Sequence, residues 1–451
     1  MATESQNQTM VLSDEQQKAF DHYQLGENVF ITGPGGSGKS ELIRSIIRDA
    51  TERGKTAQVC ALTGTAAVLL ECNAKTIHSW GGIGIANGDI MAVANRVNRS
   101  KYKKKNWKGV DILIVDEVSM MSCKLFELLE VTARLVRKNT NPFGGIQIIF
   151  TGDFYQLPPV GSEDEPDTCK FCFESPLWNN IFAQQIQLKT IFRQDDNDYK
   201  KILNQIRVGR ITKSTVEKLK KLVGRQSEQG ETILPTVLYP TRKKVERINS
   251  ASLKELKGDE IVYDFSVVPD SDMTLSEKQK QMLALFTQEQ KDRELKYMVD
   301  NVNFEKKLVL KEGAQVMCVV NLDMDSDKPI CNGSQGVIVR IDVDRMPIVR
   351  FKNGAEKKIE MNVWQSETIP SVAIKQLPLI LAWAITIHKS QGASLDMAEI
   401  DVGSGIFECG QTYVALSRIK SMNGLFLKSF DPAKIIINKK VRAFYEALSA
   451  V

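Results

Sequence analysis

Eight residues, Gly33-Pro34-Gly35-Gly36-Ser37-Gly38-Lys39-Ser40, follow the apolar run Val29-Phe30-Ile31 and lead into Glu41-Leu42-Ile43-Arg44-Ser45-Ile46-Ile47. A glycine loop between a strand and a helix is a cradle for a polyphosphate. Glycine lets the backbone curl until successive N–H groups face inward, and the helix start adds the positive end of its dipole. The Lys39 ammonium reaches the β- and γ-phosphates, and the Ser40 hydroxyl suits a Mg2+ site. Kinases, GTPases and motors all use such a loop, so residues further along must choose among them. Val115-Asp116-Glu117 ends a second apolar run with two adjacent carboxylates, which is costly unless both have tasks. Beside a phosphate cradle, Asp116 is expected to hold Mg2+ and Glu117 to orient and deprotonate the attacking water. The segment Phe150-Thr151-Gly152-Asp153-Phe154-Tyr155-Gln156-Leu157-Pro158-Pro159 closes the next run. Its Gln156 amide can sense a γ-phosphate, and its two prolines stiffen a stretch able to carry that signal elsewhere.

Positioning these groups takes a parallel sheet. Leu12-Ser13-Asp14-Glu15-Gln16-Gln17-Lys18-Ala19-Phe20 predicts a helix with Ser13 as N-cap, ahead of the cradle strand. Gln58 to Leu62 predicts a buried strand, ending at the small residues Thr63-Gly64-Thr65-Ala66-Ala67, where another chain can approach closely. Asp111 to Val115 and Ile146 to Phe150 predict two more. Strands alternating with helices imply a parallel sheet covered on both faces, with the active edge at the strand C-terminal ends. In the second half, Thr236 to Tyr239 and Ile380 to Ile385 are strand candidates with something inserted between them. The insertion begins with a Gln-, Glu- and Lys-rich span of helical spacing, Met273 to Asp300. Strands then alternate with turns from Lys311 to Glu360, among them Asn332-Gly333 and Asn353-Gly354. This pattern predicts a small β-barrel inserted into a second α/β domain.

A chain of 451 residues exceeds one hydrophobic core, so two large domains are expected. Apolar and charged fractions of 42% and 25% are those of an ordinary globular protein. No window is long and apolar enough to span a bilayer, and the polar start Met1-Ala2-Thr3-Glu4-Ser5-Gln6 lacks a signal-peptide layout. An intracellular protein of cytoplasm or nucleus, not secreted and without a membrane partner, is expected. A net charge of +5 permits a nucleic-acid partner without requiring one. Lys101-Tyr102-Lys103-Lys104-Lys105-Asn106-Trp107-Lys108 mixes cations with two aromatics, which suits either a single strand or a solvated loop. Eight scattered cysteines read as reduced packing residues. The lone pair Cys169 and Cys172 would need two more ligands to hold zinc, and the only histidines are His22, His78 and His388.

Taken in order, Gln16, GPGGSGKS, TGTAA with Thr76-Ile77-His78-Ser79, VDEVSM, TGDFYQLPPV, Phe192-Arg193-Gln194, Thr386-Ile387-His388-Lys389-Ser390-Gln391-Gly392 and Tyr413-Val414-Ala415-Leu416-Ser417-Arg418 resemble the superfamily-1 helicase series. Pro142-Phe143-Gly144-Gly145-Ile146-Gln147 resembles the signature of the PIF (petite integration frequency) helicases, relatives of RecD and Dda. The resemblance implies an α/β fold of two RecA-like P-loop NTPase domains, parallel sheets flanked by helices, with a small inserted β-barrel. Residues 1–185 would form the first domain, with a short wedge-like insertion near 85–108. Residues 186–265 and 372–451 would form the second, and 266–371 the inserted helical segment and SH3-like barrel.

By the same resemblance Gln16 would read the adenine, while Gly33, Gly35, Gly36, Ser37, Gly38, Lys39, Ser40 and Gly392 would join the nucleotide site. Ser40 and Asp116 would hold Mg2+, Glu117 the water and Gln156 the γ-phosphate, with Arg193 and Arg418 as arginine fingers. Thr63, His78, Thr386, His388 and Ser390 would line a DNA track. The activity implied is that of an ATP-dependent DNA helicase using ATP and Mg2+. It would move 5′ to 3′ on single-stranded DNA and unwind duplex or fork DNA in replication, repair and recombination. RNA–DNA hybrids or G-quadruplexes are further substrates the family suggests, and a monomer is expected. Two other classes stay in view: a P-loop kinase, which has no need of two distant arginine motifs and a second α/β core, and a nucleic-acid binding protein that uses ATP as a clamp.

Overall fold

The computed structural model describes residues 12–449 apart from 64–65, 68–69, 71, 73, 85, 87, 226–233, 270–285, 302–303, 323–325, 367–368 and 370. Gly64 and Thr65 of the small-residue segment, residues 85 and 87 of the wedge-like insertion, and residues 273–285 of the insertion's polar span lie outside the described residues. The chain divides into two units, one of residues 1–59, 88–154 and 159–193, the other of 60–87, 155–158 and 194–451. No helix among the described residues is long and apolar enough to cross a membrane.

Ser13 caps the first helix, Asp14–Gln24, by a reciprocal pair: the Gln16 N–H donates to Ser13 Oγ (3.3 Å) and the Ser13 N–H to Gln16 Oε1 (2.9 Å). β1 (Val29–Thr32), the loop helix Lys39–Glu52, β2 (Ala57–Ala61), β3 (Lys75–Thr76), β4 (Ile112–Asp116), β5 (Gln147–Gly152) and β6 (Gln184–Gln187) follow. The first sheet has the order β3-β2-β4-β5-β1-β6; β1 runs parallel to β5 and β6, β4 to β5, and β2 to β3. Every residue of β1, β4 and β5 is buried, as a sheet covered on both faces requires. Phe30 of β1 and Phe150 of β5 pack against Phe126, Trp178 and Phe182, with ring centroids as close as 4.6 Å for Trp178 and Phe182.

The signature segment has a structural task in this unit. Phe143 is fully buried at φ +48°, and a Cβ on Gly144 would lie 2.7 Å from the Ala133 carbonyl oxygen. Arg137, on the helix Cys123–Arg137, ties the segment down by donating from Nε to Gly144 O (2.8 Å). Its Nη1 donates to Trp107 O (2.9 Å) and Val110 O (3.0 Å). The lysine-rich stretch is therefore not a loop with two stacking aromatics. It forms the helix Lys103–Gly109 with Trp107 fully buried, so that indole packs in the core and has no face for a base. Before it runs the helix Ile90–Arg99, whose N-cap Asp89 accepts from the Ala92 N–H at 2.8 Å.

β7 (Thr236–Tyr239) opens the strands of the second half. After the helix Arg242–Glu255 come β8 (Ile261–Asp264), β9 (Ser266–Val267), the helix Gln288–Asn301, β10 (Lys307–Leu310), β11 (Gln315–Cys318), β12 (Gln335–Ile341), β13 (Pro347–Phe351), β14 (Glu356–Lys358), β15 (Asn362–Gln365), β16 (Ala373–Gln376) and β17 (Leu379–Leu381). These build antiparallel sheets β14-β13-β12-β11-β17, β15-β16-β9 and β10-β8. Gly354, at φ +79°, closes the β13–β14 hairpin at the Asn353-Gly354 turn. β18 (Ala384–Thr386), β19 (Ala398–Val402) and β20 (Leu425–Phe430) then join β7 in a parallel sheet of order β18-β7-β19-β20.

The apolar run Ile380 to Ile385 is not one strand. Its first half pairs antiparallel with β11 (Leu381 opposite Val316), and its second half pairs parallel with β7 (Ala384 opposite Val237). Polar side chains satisfy the backbone at the break. Thr236 Oγ1 (2.7 Å) and Gln315 Nε2 (3.0 Å) both donate to Ala382 O, and Asn249 bonds both the N–H and the carbonyl of Ala384 at 2.9 Å.

Candidate active site and nucleic-acid interface

Space and backbone conformation both demand glycine in the loop at 33–40. Gly36 and Gly38 hold φ of +81° and +78°. A Cβ on Gly38 would lie 2.5 Å from Gln16 Nε2, one on Gly33 2.8 Å from Leu188 O, and one on Gly36 would collide with Arg193. Lys39 starts the helix and folds back over the loop, its Nζ donating to Gly33 O (2.8 Å) and Pro34 O (3.0 Å); Ser40 is the next residue. Gln16 ties the first helix to the same loop, with Nε2 donating to Gly38 O at 3.2 Å. The Phe192 and Arg193 N–H groups both donate to Gly36 O, at 2.8 and 3.3 Å, which brings Arg193 to the loop. Beside Gly38 stands the Phe192 ring, 54% exposed, an aromatic face next to the glycine loop that the sequence pattern alone does not single out.

Asp116 ends β4 and is 6% exposed. Thr151 Oγ1 and the Glu117 N–H (2.8 Å) both donate to its Oδ1. Burial pushes its carboxyl above the usual carboxylate range, opposed by those two hydrogen bonds and by the charge of Lys39. Lys39 follows β1 and Asp116 ends β4, so both stand at the C-terminal edge of the same parallel sheet. Glu117 follows at φ +56°, ψ +40°, a left-handed conformation that costs a residue with a Cβ about 1–3 kcal/mol. The donors fit the magnesium nucleotide expected from the sequence: a curled run of backbone N–H groups, an ammonium, and the hard oxygens of Ser40 and a buried carboxylate whose charge a divalent cation would compensate.

Gln156 is 3% exposed, and its Oε1 has no hydrogen-bond partner among the described residues. Its backbone oxygen lies against Gly410, 2.5 Å from where a Cβ would stand. Gly410, at φ +73°, precedes the helix Gln411–Ser417, which ends at Arg418. The Arg418 side chain is 2% exposed and folds onto its own helix, Nε donating to Val414 O and Nη2 to Ser417 Oγ, both at 3.0 Å. Gln194 holds the same turn, donating from Nε2 to Ile419 O at 3.1 Å. Gly392 is left-handed, φ +82°.

On the side expected to meet a strand, a cleft of about 1130 Å³ takes in Arg242, Lys307, Thr386, His388, Lys389 and Phe407. The His388 and Phe407 rings are nearly parallel, 18° apart with centroids 6.4 Å from each other, and Phe407 is 59% exposed. Burial lowers the pKa of His388, which favours the neutral imidazole. Thr386 Oγ1 accepts from the Lys389 N–H (3.1 Å). Ser390 departs from the expectation: it is fully buried and its hydroxyl donates to Ile387 O (2.8 Å), so it fixes the turn rather than presenting a donor at a surface. His78, on the helix Ile77–Gly81, is likewise shifted toward neutrality by burial, and Thr63 Oγ1 accepts from the Ala66 N–H at 3.2 Å. Phe407 was open to detection as the aromatic of a glycine-containing stretch, Gly403-Ser404-Gly405-Ile406-Phe407, just past a strand end.

The family model described as PIF1-like helicase matches residues 11–217, and that described as DNA helicase Pif1, 2B domain matches residues 297–341. The chain is 36% identical over 442 residues to the ATP-dependent DNA helicase PIF1 of Danio rerio, covering 97% of this chain and 64% of that one. The crystal structure of Pif1 helicase from Candida albicans is 33% identical, with a TM-score of 0.78 and coverage of 97% of this chain and 100% of the other. Pif1 helicase from Bacteroides in complex with ADP-AlF3 and ssDNA is 29% identical, with a TM-score of 0.68 and 98% of each chain covered. The chain spans just under two thirds of the length of the first curated relatives it matches.

Proposed function

This chain belongs to the PIF1-like helicase family, and on that footing we propose that it is an ATP-dependent DNA helicase. It moves 5′ to 3′ along single-stranded DNA as a monomer and opens duplexes and forks in replication, repair and recombination, with RNA–DNA hybrids or G-quadruplexes as further substrates. The observation that carries the reading is the left-handed glycine loop, with Lys39 folded over it, at the strand ends of the parallel sheet where buried Asp116 closes β4. The loop N–H groups and Lys39 bind the β- and γ-phosphates, and Phe192 offers the base a flat face. Ser40 and Asp116 would hold Mg2+, which when bound neutralises charge on the phosphate oxygens. Glu117 takes the proton of the attacking water. Gln156 senses the γ-phosphate. Arg193 and Arg418 bring positive charge to the transition state, a contribution worth roughly 10³ to 10⁵ in rate for such arginines.

For the strand, Thr386, the neutral His388 and the cations of the cleft hold phosphates, and Phe407 stacks a base, a combination that grips without reading sequence. The test is strand separation with ATP and Mg2+ on two duplexes, one with a 5′ single-stranded overhang and one with a 3′ overhang. Opening of the first alone is the expected result. Opening of neither discards the helicase reading in favour of an ATP-driven clamp, and opening of the second alone reverses the direction.

A further inference from the structure

The C-terminal helix, Lys439–Ser449, carries the buried Tyr445, whose ring stacks on that of Tyr155 with 4.6 Å between centroids and 11° between planes. Arg207 lies in the last turn of the helix Asn197–Val208. Its guanidinium, also buried, stands 4.7 Å from the Tyr155 centroid and 5.1 Å from that of Tyr445. Ring stacking and cation–π attraction both gain from exclusion of water, so the three side chains form a stiff joint. The helix and the segment leading into it are registered at three more points: Arg210 pairs with Glu446 of the helix at 3.3 Å, and ahead of it a Cβ on Gly209 would stand 2.5 Å from Ile437 Cγ1 and the Gly410 N–H donates to Ile436 O at 3.2 Å. Gln156 is the residue after Tyr155. Its peptide is pinned on one side by Gly410 and on the other by the aromatic joint, while its Oε1 has no hydrogen-bond partner among the described residues.

We infer that Tyr445 and Arg207 are positioning residues for Gln156, through which the C-terminal helix sets the strand-stimulated rate of ATP turnover; the inference rests on the helicase reading above. A group that must meet the γ-phosphate as the reaction proceeds tolerates little displacement, since an error of about 1 Å costs up to roughly 100-fold in rate. A leucine at 445 fills space but offers no flat face to Tyr155 or Arg207, and Gln156 gains freedom.

The experiment is steady-state ATP turnover by the full chain with Mg2+, with and without oligothymidylate. Tyr445→Leu is expected to lower strand-stimulated kcat about tenfold while KM for ATP moves by less than about twofold, and Tyr445→Phe, which keeps the ring, to stay within about twofold of wild type. In a Gln156→Ala background, Tyr445→Leu is expected to have no further effect, because the two act as one unit. Losses that multiply, or a Tyr445→Leu protein as fast as wild type, overturn the inference while leaving the helicase reading intact. A wild-type chain whose turnover ignores oligothymidylate removes that reading and the inference together. Should Tyr445→Leu lack the wild-type melting transition, Arg207→Gln passes through the same cycle under the same criteria.

Discussion

Asp116 and Glu117 are neighbours with opposite backbone states: the first ends a fully buried strand, and the second turns at once to a positive φ. The sequence showed two carboxylates with work to do. The division of labour proposed for them fits that turn, which parts the second from the strand carrying the first. The histidines differ from ordinary surface histidines in a measurable way. Burial lowers the pKa of His78 from its usual 6.5, so the folded protein resists protonation there. The unfolded chain then binds more protons around and below pH 6.5, and the stabilisation is complete above 6.5 and lost as pH falls toward the folded value. The urea midpoint of the wild-type protein is therefore expected to fall between pH 7.5 and pH 5.5, roughly the range over which a histidine titrates, and His78→Gln to show a smaller fall. An identical pH profile in the two proteins would remove His78 as a buried neutral imidazole.

At the scale of elements, Thr236 joins the parallel sheet to the antiparallel one. Its hydroxyl donates to Ala382 O (2.7 Å) and accepts from Gln335 Nε2 (2.6 Å), with Gln315 Nε2 at 3.5 Å. Thr236→Val keeps the shape and strands those buried partners, so a loss of about 1–3 kcal/mol in urea unfolding is expected, with Thr236→Ser recovering most of it. Equal stability of Val and Thr at this position would show that the network carries no load. The same region explains what was legible. β1, β4 and β5 are apolar runs whose neighbours matter little, because both faces are covered whatever the partner, and each was read to within a residue or two. The run Ile380 to Ile385 looked equally continuous. Whether it is one strand or two depends on Val316 and Val237, residues remote in the chain that leave no mark on the local pattern. Trp107 shows the same limit: its burial is settled by Arg137 reaching back to the Trp107 and Val110 carbonyls.

For the whole molecule, the glycine loop was legible because it is one continuous segment, whereas of the cleft only Thr386 and His388 were named for the strand, because it also gathers Arg242, Lys306, Lys307, Lys389 and Phe407 from four separate segments. A net charge of +5 gives too weak a field to bind a polyanion through overall charge alone, so affinity must come from local cations. Two of these already have acidic partners in the cleft: Arg242 with Glu246 at 3.0 Å and Lys389 with Glu305 at 3.3 Å. A strand must displace those carboxylates before it can use the cations, and its binding should be moderately sensitive to salt. If Arg242, Lys306, Lys307 and Lys389 each neutralise a phosphate, log K for oligothymidylate falls against log salt with a slope of about −2.8, and Lys307→Ala reduces its magnitude by about 0.7. Fluorescence anisotropy across a salt series measures both. A wild-type slope near zero, or one that Lys307→Ala leaves untouched, would place the strand elsewhere on the molecule. A steeper slope that still loses about 0.7 on that substitution would mean that cations beyond the cleft extend the same track.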